Sequence, residues 1–133
     1  MVSDRVEWLH RQVGLYNAGD LDGFHDALPP GFTFTPDPSF PDVDAYGGDD
    51  LRRWMGEWAR MWKESRLKIL ETSEVGSTVI AKSRWHLTAA ATGPPILDND
   101  FSIVIWFDGD RPVRGAAFFD EARARAEAEK APR

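Results

Sequence analysis

At Ser65 the apolar pattern of this chain changes period. Before it, apolar residues recur every three to four positions; from residue 65 to 119 they alternate. The stretches RLKILETSEV, STVIAKSRWHLTAAA, DNDFSIVIWF and RPVRGAAFF predict four strands of a meander. Hairpins are expected at Gly76–Ser77, at the TGPP of residues 92–95, and at Asp108–Gly109–Asp110. An antiparallel sheet of this size must cover at least one face, so the helical part of the chain is required to lie against it.

The helix best suited to that task is DDLRRWMGEWARMWKES, residues 49–65. At about 100° per residue, Leu51, Trp54, Met55, Trp58, Met61 and Trp62 share an arc of roughly 120°. Arg52, Arg53, Glu57, Arg60, Lys63 and Glu64 take the rest of the wheel. An amphipathic helix over 47–64 is expected, and it holds three of the chain's 6 tryptophans. Each indole N–H wants a partner, so the stripe is either a broad core face or the wall of a pocket.

Upstream, residues 1–28 predict two helices. Ser3 or Asp4 caps the first, Gly19 ends it, and Asp20 caps the second, which carries Leu21, Phe24 and Leu28. FTFT is a short strand. DEARARAEAEK predicts a last helix within 120–131, capped by Asp120 and solvated, with Glu121–Arg125 and Arg125–Glu129 pairs. The whole, residues 1–133, reads as one α+β domain. A net charge of −6 argues against nucleic acid and against an anionic membrane surface as partners. The absence of cysteine excludes disulfides and thiolate chemistry. The first residues lack the apolar run of a signal peptide and no stretch is long enough to span a membrane, so a cytoplasmic protein is expected.

Strand alternation assigns faces. Val79, Ala81, Ser83, Trp85 and Leu87 share one face of the second strand with Phe101, Ile103, Ile105 and Phe107 on the third, and these should meet the tryptophan helix. Ile80, Lys82, Arg84, His86 and Thr88 lie opposite, with Ser102, Val104 and Trp106. Val104 and Trp106 make that outer face partly apolar. The expected cover is a second copy, giving a homodimer packed through Ile80, His86, Val104 and Trp106.

LYNAGDLDGFHDAL, YGGDDLRRWMGEWARMW and WFDGDRPVRGAAFFDEARARAEA, in this order, resemble the SnoaL-like branch of the nuclear-transport-factor-2-like superfamily. The resemblance implies a curved, mostly antiparallel sheet wrapped around a long amphipathic helix, cone-shaped with an internal pocket. With the inward faces assigned above, the pocket lining is expected to be Tyr16, Phe34, Trp54, Trp58, Trp85, Phe101, Ile103 and Phe118, and the ligand a small, largely apolar molecule, open-chain or cyclic. The superfamily includes ketosteroid isomerases, polyketide cyclases, dehydratases and epoxide hydrolases, so the fold does not fix a reaction. Where ketosteroid isomerases carry a helix-1 tyrosine this chain has Gln12. Where they carry a protonated carboxyl acid it has Ile103. Without those donors an enolate is unstabilised, which argues against that activity.

Asp37 is the candidate catalytic residue: near Phe32, Phe34 and Phe40, it is expected to face the cone mouth as a base with a raised pKa, the alternative being a turn aspartate between prolines. Asp98 and Asp100 read as a solvated hairpin rather than paired carboxylates. His86 is placed on the outer face, and His10 and His25 are read as structural. Ser83 has no evident base. No metal-ligand spacing and no phosphate or dinucleotide loop is present, so no metal and no cofactor are expected. Two functions stay open: a ligand pocket with proton-transfer chemistry, or a non-catalytic dimeric module that binds a ligand or a protein. An ionisable group inside the pocket, held by a hydrogen-bonded neighbour, discriminates them.

Overall fold

The computed structural model describes residues 3–39, 45–89 and 97–130. Two helices come first, α1 (Asp4–Asn17) and α2 (Leu21–Asp26), followed by short strands β1 (Thr33–Thr35) and β2 (Tyr46–Gly47) and by the tryptophan helix α3 (Gly48–Met61). The meander is β3 (Trp62–Val75), β4 (Thr78–Ala89), β5 (Leu97–Asp108) and β6 (Arg111–Phe118), and α4 (Glu121–Ala128) closes the series. Local chemistry sets the ends. Ser3 Oγ accepts from the Val6 amide at 3.2 Å, Asp20 caps α2 through Gly23 N at 2.8 Å, and Asp120 caps α4 through Ala122 N at 2.9 Å. Gly19 ends α1 with φ +76°, a conformation that side chains resist.

The curved, unclosed sheet has strand order β2-β1-β6-β5-β4-β3. All pairings are antiparallel except β1 with β6, where Thr33 lies opposite Arg114. Trp85 and Phe101 lie on the inner face with Val79, Ala81, Ile103, Ile105 and Phe107. There Val6, Leu9 and Val13 of α1 and Leu51 of α3 complete the core. On the free edge of β3, the Asn17 carboxamide donates to Leu67 O and accepts from Leu67 N, both at 2.8 Å. One side chain thus stands in for a neighbouring strand.

Three expectations are corrected. The tryptophan helix stops at Met61: Trp62 is extended, with φ −122° and ψ 140°, and opens β3, while Met61 is exposed rather than on the buried arc. The last helix runs only from Glu121 to Ala128, and its Glu121 pairs with Lys82 across on β4 at 3.8 Å. The outer apolar face is covered from within the chain. Ala124 and Ala128 of α4 pack on Ile80, Val104, Trp106, Ala116 and Phe118. Trp106 is 1% exposed, and its Nε1 donates to Lys130 O at 3.1 Å. Alanine leaves room for close helix–sheet approach, so no second copy is needed to bury these residues. The expected hairpin at residues 92–95 lies outside the described residues.

Candidate functional site

α1, α3 and the inner sheet face enclose a cavity of about 120 Å³. Trp8, Leu9, Gln12, Val13 and Tyr16 of α1 form one wall, and Leu51, Trp54, Met55 and Trp58 of α3 another. Leu67, Trp85, Phe101, Ile103, Ile105 and Ala117 line it from the sheet, with Phe34 from β1 and Phe24, Leu28 and Phe32 from the neighbouring segment. The aromatic rings form a connected series. Trp54 lies 6.2 Å from Phe34 and from Trp58, Trp58 lies 4.8 Å from Trp85, and Trp85 lies 5.4 Å from Phe101. The four-residue spacing of Trp54 and Trp58 places both on one helix face, so the sequence pattern itself builds this wall.

Of the eight residues expected to line the pocket, seven meet here: Tyr16, Phe34, Trp54, Trp58, Trp85, Phe101 and Ile103. Phe118 does not, and this is a correction. It pairs with Ser102 and therefore shares the outer face, packed with α4 and with the Arg123 guanidinium 5.9 Å from its ring. Ala117, opposite Ile103, takes the inward place.

Apart from the tryptophan indoles, the polar side chains of the cavity wall among the described residues are two, both on α1 and one turn apart. Gln12 is 3% exposed and donates through Nε2 to Phe24 O at 3.1 Å, tying α2 to α1. Tyr16 Oη is hydrogen-bonded to Ser65 Oγ, which also accepts from Trp85 Nε1 at 2.8 Å. Burial raises the Tyr16 pKa above its ordinary value and outweighs the lowering by hydrogen bonds to Ser65, Trp85 and Trp58, so its hydroxyl keeps its proton. Beyond Tyr16 opens a second cleft, of about 390 Å³, lined also by Ser65, Trp62, Glu64 and Arg66.

Asp37 is 8% exposed, and its carboxylate is engaged by backbone. Ser39 N donates to Oδ2 at 2.8 Å and Phe119 N to Oδ1 at 2.7 Å. Burial acts to raise its pKa, but the hydrogen bonds from Ser39 and Phe119, with Arg123 nearby, hold it below the ordinary carboxylate value. The expectation of a raised pKa is thereby corrected. The residue fastens the segment after β1 to the end of β6, and it is not among the residues that line the cavity.

Asp100 accepts two hydrogen bonds from Arg84, at 2.7 and 3.2 Å, on the surface. The side chain of Asp98 lies outside the described residues. Ser83 is buried and donates to Ala81 O at 3.2 Å. His86 is half-buried on the outer face, opposite Arg66, and His10 is exposed. The ring of His25 packs edge-on to Phe24, and its buried Nε2 has no partner among the described residues. No group of three His, Cys, Asp or Glu side chains able to hold a metal occurs among the described residues.

Sequence reasoning missed Gln12 as a wall residue and Ser65 as the hub of the hydrogen bonds. Gln12 was findable, because Trp8, Gln12 and Tyr16 recur at four-residue spacing on the face of α1 that meets the core. Ser65 sits where the helical period gives way to alternation, so neither pattern assigned it a face.

No curated protein sequence matches the chain. Solved structures do resemble it in fold. An NTF2-like protein of unknown function from Burkholderia pseudomallei is 20% identical, with TM-score 0.75 over 92% of this chain and 95% of that one. TerC, co-crystallised with polyporic acid, is 14% identical, with TM-score 0.75 over 96% and 100%. A protein of ketosteroid-isomerase-like fold from Catenulispora acidiphila, in complex with trimethylamine, is 9% identical, with TM-score 0.73 over 95% and 94%. At these identities the likeness establishes the architecture. The sequence pattern of the SnoaL-like domain matches residues 9–122, and the chain belongs to that family.

Proposed function

We propose that this protein binds a small, neutral, largely apolar molecule of about one ring in the aromatic cavity, and that it does so as a receptor rather than a proton-transfer catalyst. The observation that carries this reading is the wall itself. Among the described residues no aspartate, glutamate, histidine, lysine or arginine lines the cavity, and the one titratable group there, Tyr16, is held protonated by burial. A phenol that keeps its proton donates a hydrogen bond but takes no proton from carbon, and Asp37 already accepts two backbone amides. Size supports the same reading: an apolar cavity of roughly 150 Å³ accommodates benzene, and this one is about 120 Å³. A four-ring steroid exceeds it. TerC co-crystallised with polyporic acid and the Catenulispora protein in complex with trimethylamine support a reading in which this fold receives a small organic molecule.

The homodimer stays part of the proposal in altered form. The half of the outer face left open by α4 carries Arg66, Lys68 and the Arg84–Asp100 ion pair, so a second copy would meet a polar surface. A solution mass of one chain at micromolar concentration refutes it.

The pocket is tested by heating the protein in buffer saturated with benzene or toluene. A ligand present at 100 times its Kd stabilises a fold by roughly 2.7 kcal/mol, which is read as a rise in Tm. An unchanged Tm, with unchanged tryptophan indole resonances in NMR spectra, overturns the reading.

A further inference from the structure

The hydrogen bonds around Tyr16 do not balance. Trp85 Nε1–H, Ser65 O–H and Tyr16 O–H bring three hydrogens to two contacts, and the Trp58 indole adds a further donor towards Tyr16. The Trp85 hydrogen goes to Ser65 Oγ, and one hydroxyl hydrogen fills the Tyr16–Ser65 contact. The other has no acceptor among the described residues. Glu64, the one carboxylate on the adjoining cleft among the described residues, is exposed. Nearby, the Trp62 indole N–H is buried and also without a partner among the described residues. The place where the apolar cavity meets the cleft is therefore rich in donors and short of acceptors, and an unmet donor favours whatever supplies the missing lone pair.

We propose that the junction at Tyr16 and Ser65 is an acceptor subsite, and that the bound molecule is a small ring bearing a carbonyl-type oxygen. The proposal rests on the cavity-binding reading above: the ring occupies the aromatic cavity, and the oxygen lies at Tyr16, the residue common to cavity and cleft. The spare hydroxyl hydrogen then has its acceptor. A ligand with a donor in the same position would face a second donor, so ketones and quinone-like carbonyls are favoured over amines. A hydrocarbon of the same shape fills the cavity but leaves the hydrogen unmet.

The test uses acetophenone and ethylbenzene, which share a skeleton and differ in C=O against CH₂. Affinities are measured by NMR titration of the full chain, following the tryptophan indole resonances. The quantity read is the ratio of the two dissociation constants, compared between wild type, Tyr16→Phe and Ser65→Ala. That comparison cancels the different water solubilities of the two ligands. The expected result is that the ratio lies towards the ketone in wild type by roughly tenfold relative to Tyr16→Phe, the worth of one hydrogen bond, whereas Ser65→Ala, which leaves the Tyr16 hydroxyl free to donate to the ligand, keeps the preference. A ratio equal in all three proteins, with ethylbenzene still bound, overturns the acceptor subsite and leaves the pocket standing. Binding of neither ligand overturns both.

Discussion

The indole N–H of Trp106 on β5 donates to the carbonyl of Lys130, 3.1 Å away and beyond the last turn of α4. This bond fastens a C-terminal helix of small residues over an apolar sheet face. It explains how Val104 and Trp106, on the outer side of the sheet, are buried within one chain.

The first prediction concerns that seam. Ala124 is 0% exposed against the sheet, so Ala124→Leu has no space to enter. It should destabilise the fold by about 1–3 kcal/mol, read as a lower urea midpoint at unchanged slope. A neutral effect would mean that α4 lifts easily from the sheet.

Filling the cavity should have the opposite sign. Ala117 lines it from β6, and Ala117→Leu places added carbons in a space of about 120 Å³. We expect a gain of about 1 kcal/mol together with loss of toluene binding. Stabilisation with binding retained would place the ligand elsewhere.

Asp37 should matter to the fold and not to the ligand. Asp37→Ala leaves the amides of Ser39 and Phe119 without their acceptor, at a cost of about 2 kcal/mol, while toluene affinity stays as in wild type. The sign with pH follows from its lowered pKa. The stabilisation is complete above the ordinary value of 3.8 and fades as pH falls through the lower folded value. Urea unfolding at a series of acid pH values should show a limb that is shallower in the variant.

Tyr16 gives the mirror case at alkaline pH. Its folded-state pKa is raised, so the stability it contributes is whole below the ordinary phenol value of 10.0 and is lost as pH climbs through the folded value. Tyr16→Phe should flatten that alkaline loss in unfolding experiments. An identical alkaline limb in both proteins would show that Tyr16 ionises as freely when folded as when unfolded.

Much of the cavity was legible because its makers obey a single period. Trp54 and Trp58 repeat at helical spacing, and Trp85, Phe101 and Ile103 alternate cleanly on their strands. Phe118 was not legible, since GAAFF is apolar at every position and alternation assigns no face where both are buried. Trp62 fits the helical wheel of α3 and the strand that follows equally well, and extended backbone at that residue decided between them. The cover by α4 was hidden for a different reason. Two alanines contribute little apolar signal, yet their smallness is what admits the helix to the sheet. The donor surplus at Ser65 depends on three side chains from α1, β3 and β4 converging, which no spacing within one segment encodes.

The parallel pairing of β1 with β6 joins Thr33 to Arg114 and Thr35 to Ala116, partners far apart along the chain. Phe34 reaches the cavity from this strand, so the aromatic chamber closes only when the two ends of the domain meet. Contacts of such long range form late and slowly. Until then the tryptophans of α3 lack a complete lining, and tryptophan fluorescence during refolding should reach its native value in the slowest phase. The same closure that makes the chamber therefore sets the tempo at which the molecule can be assembled.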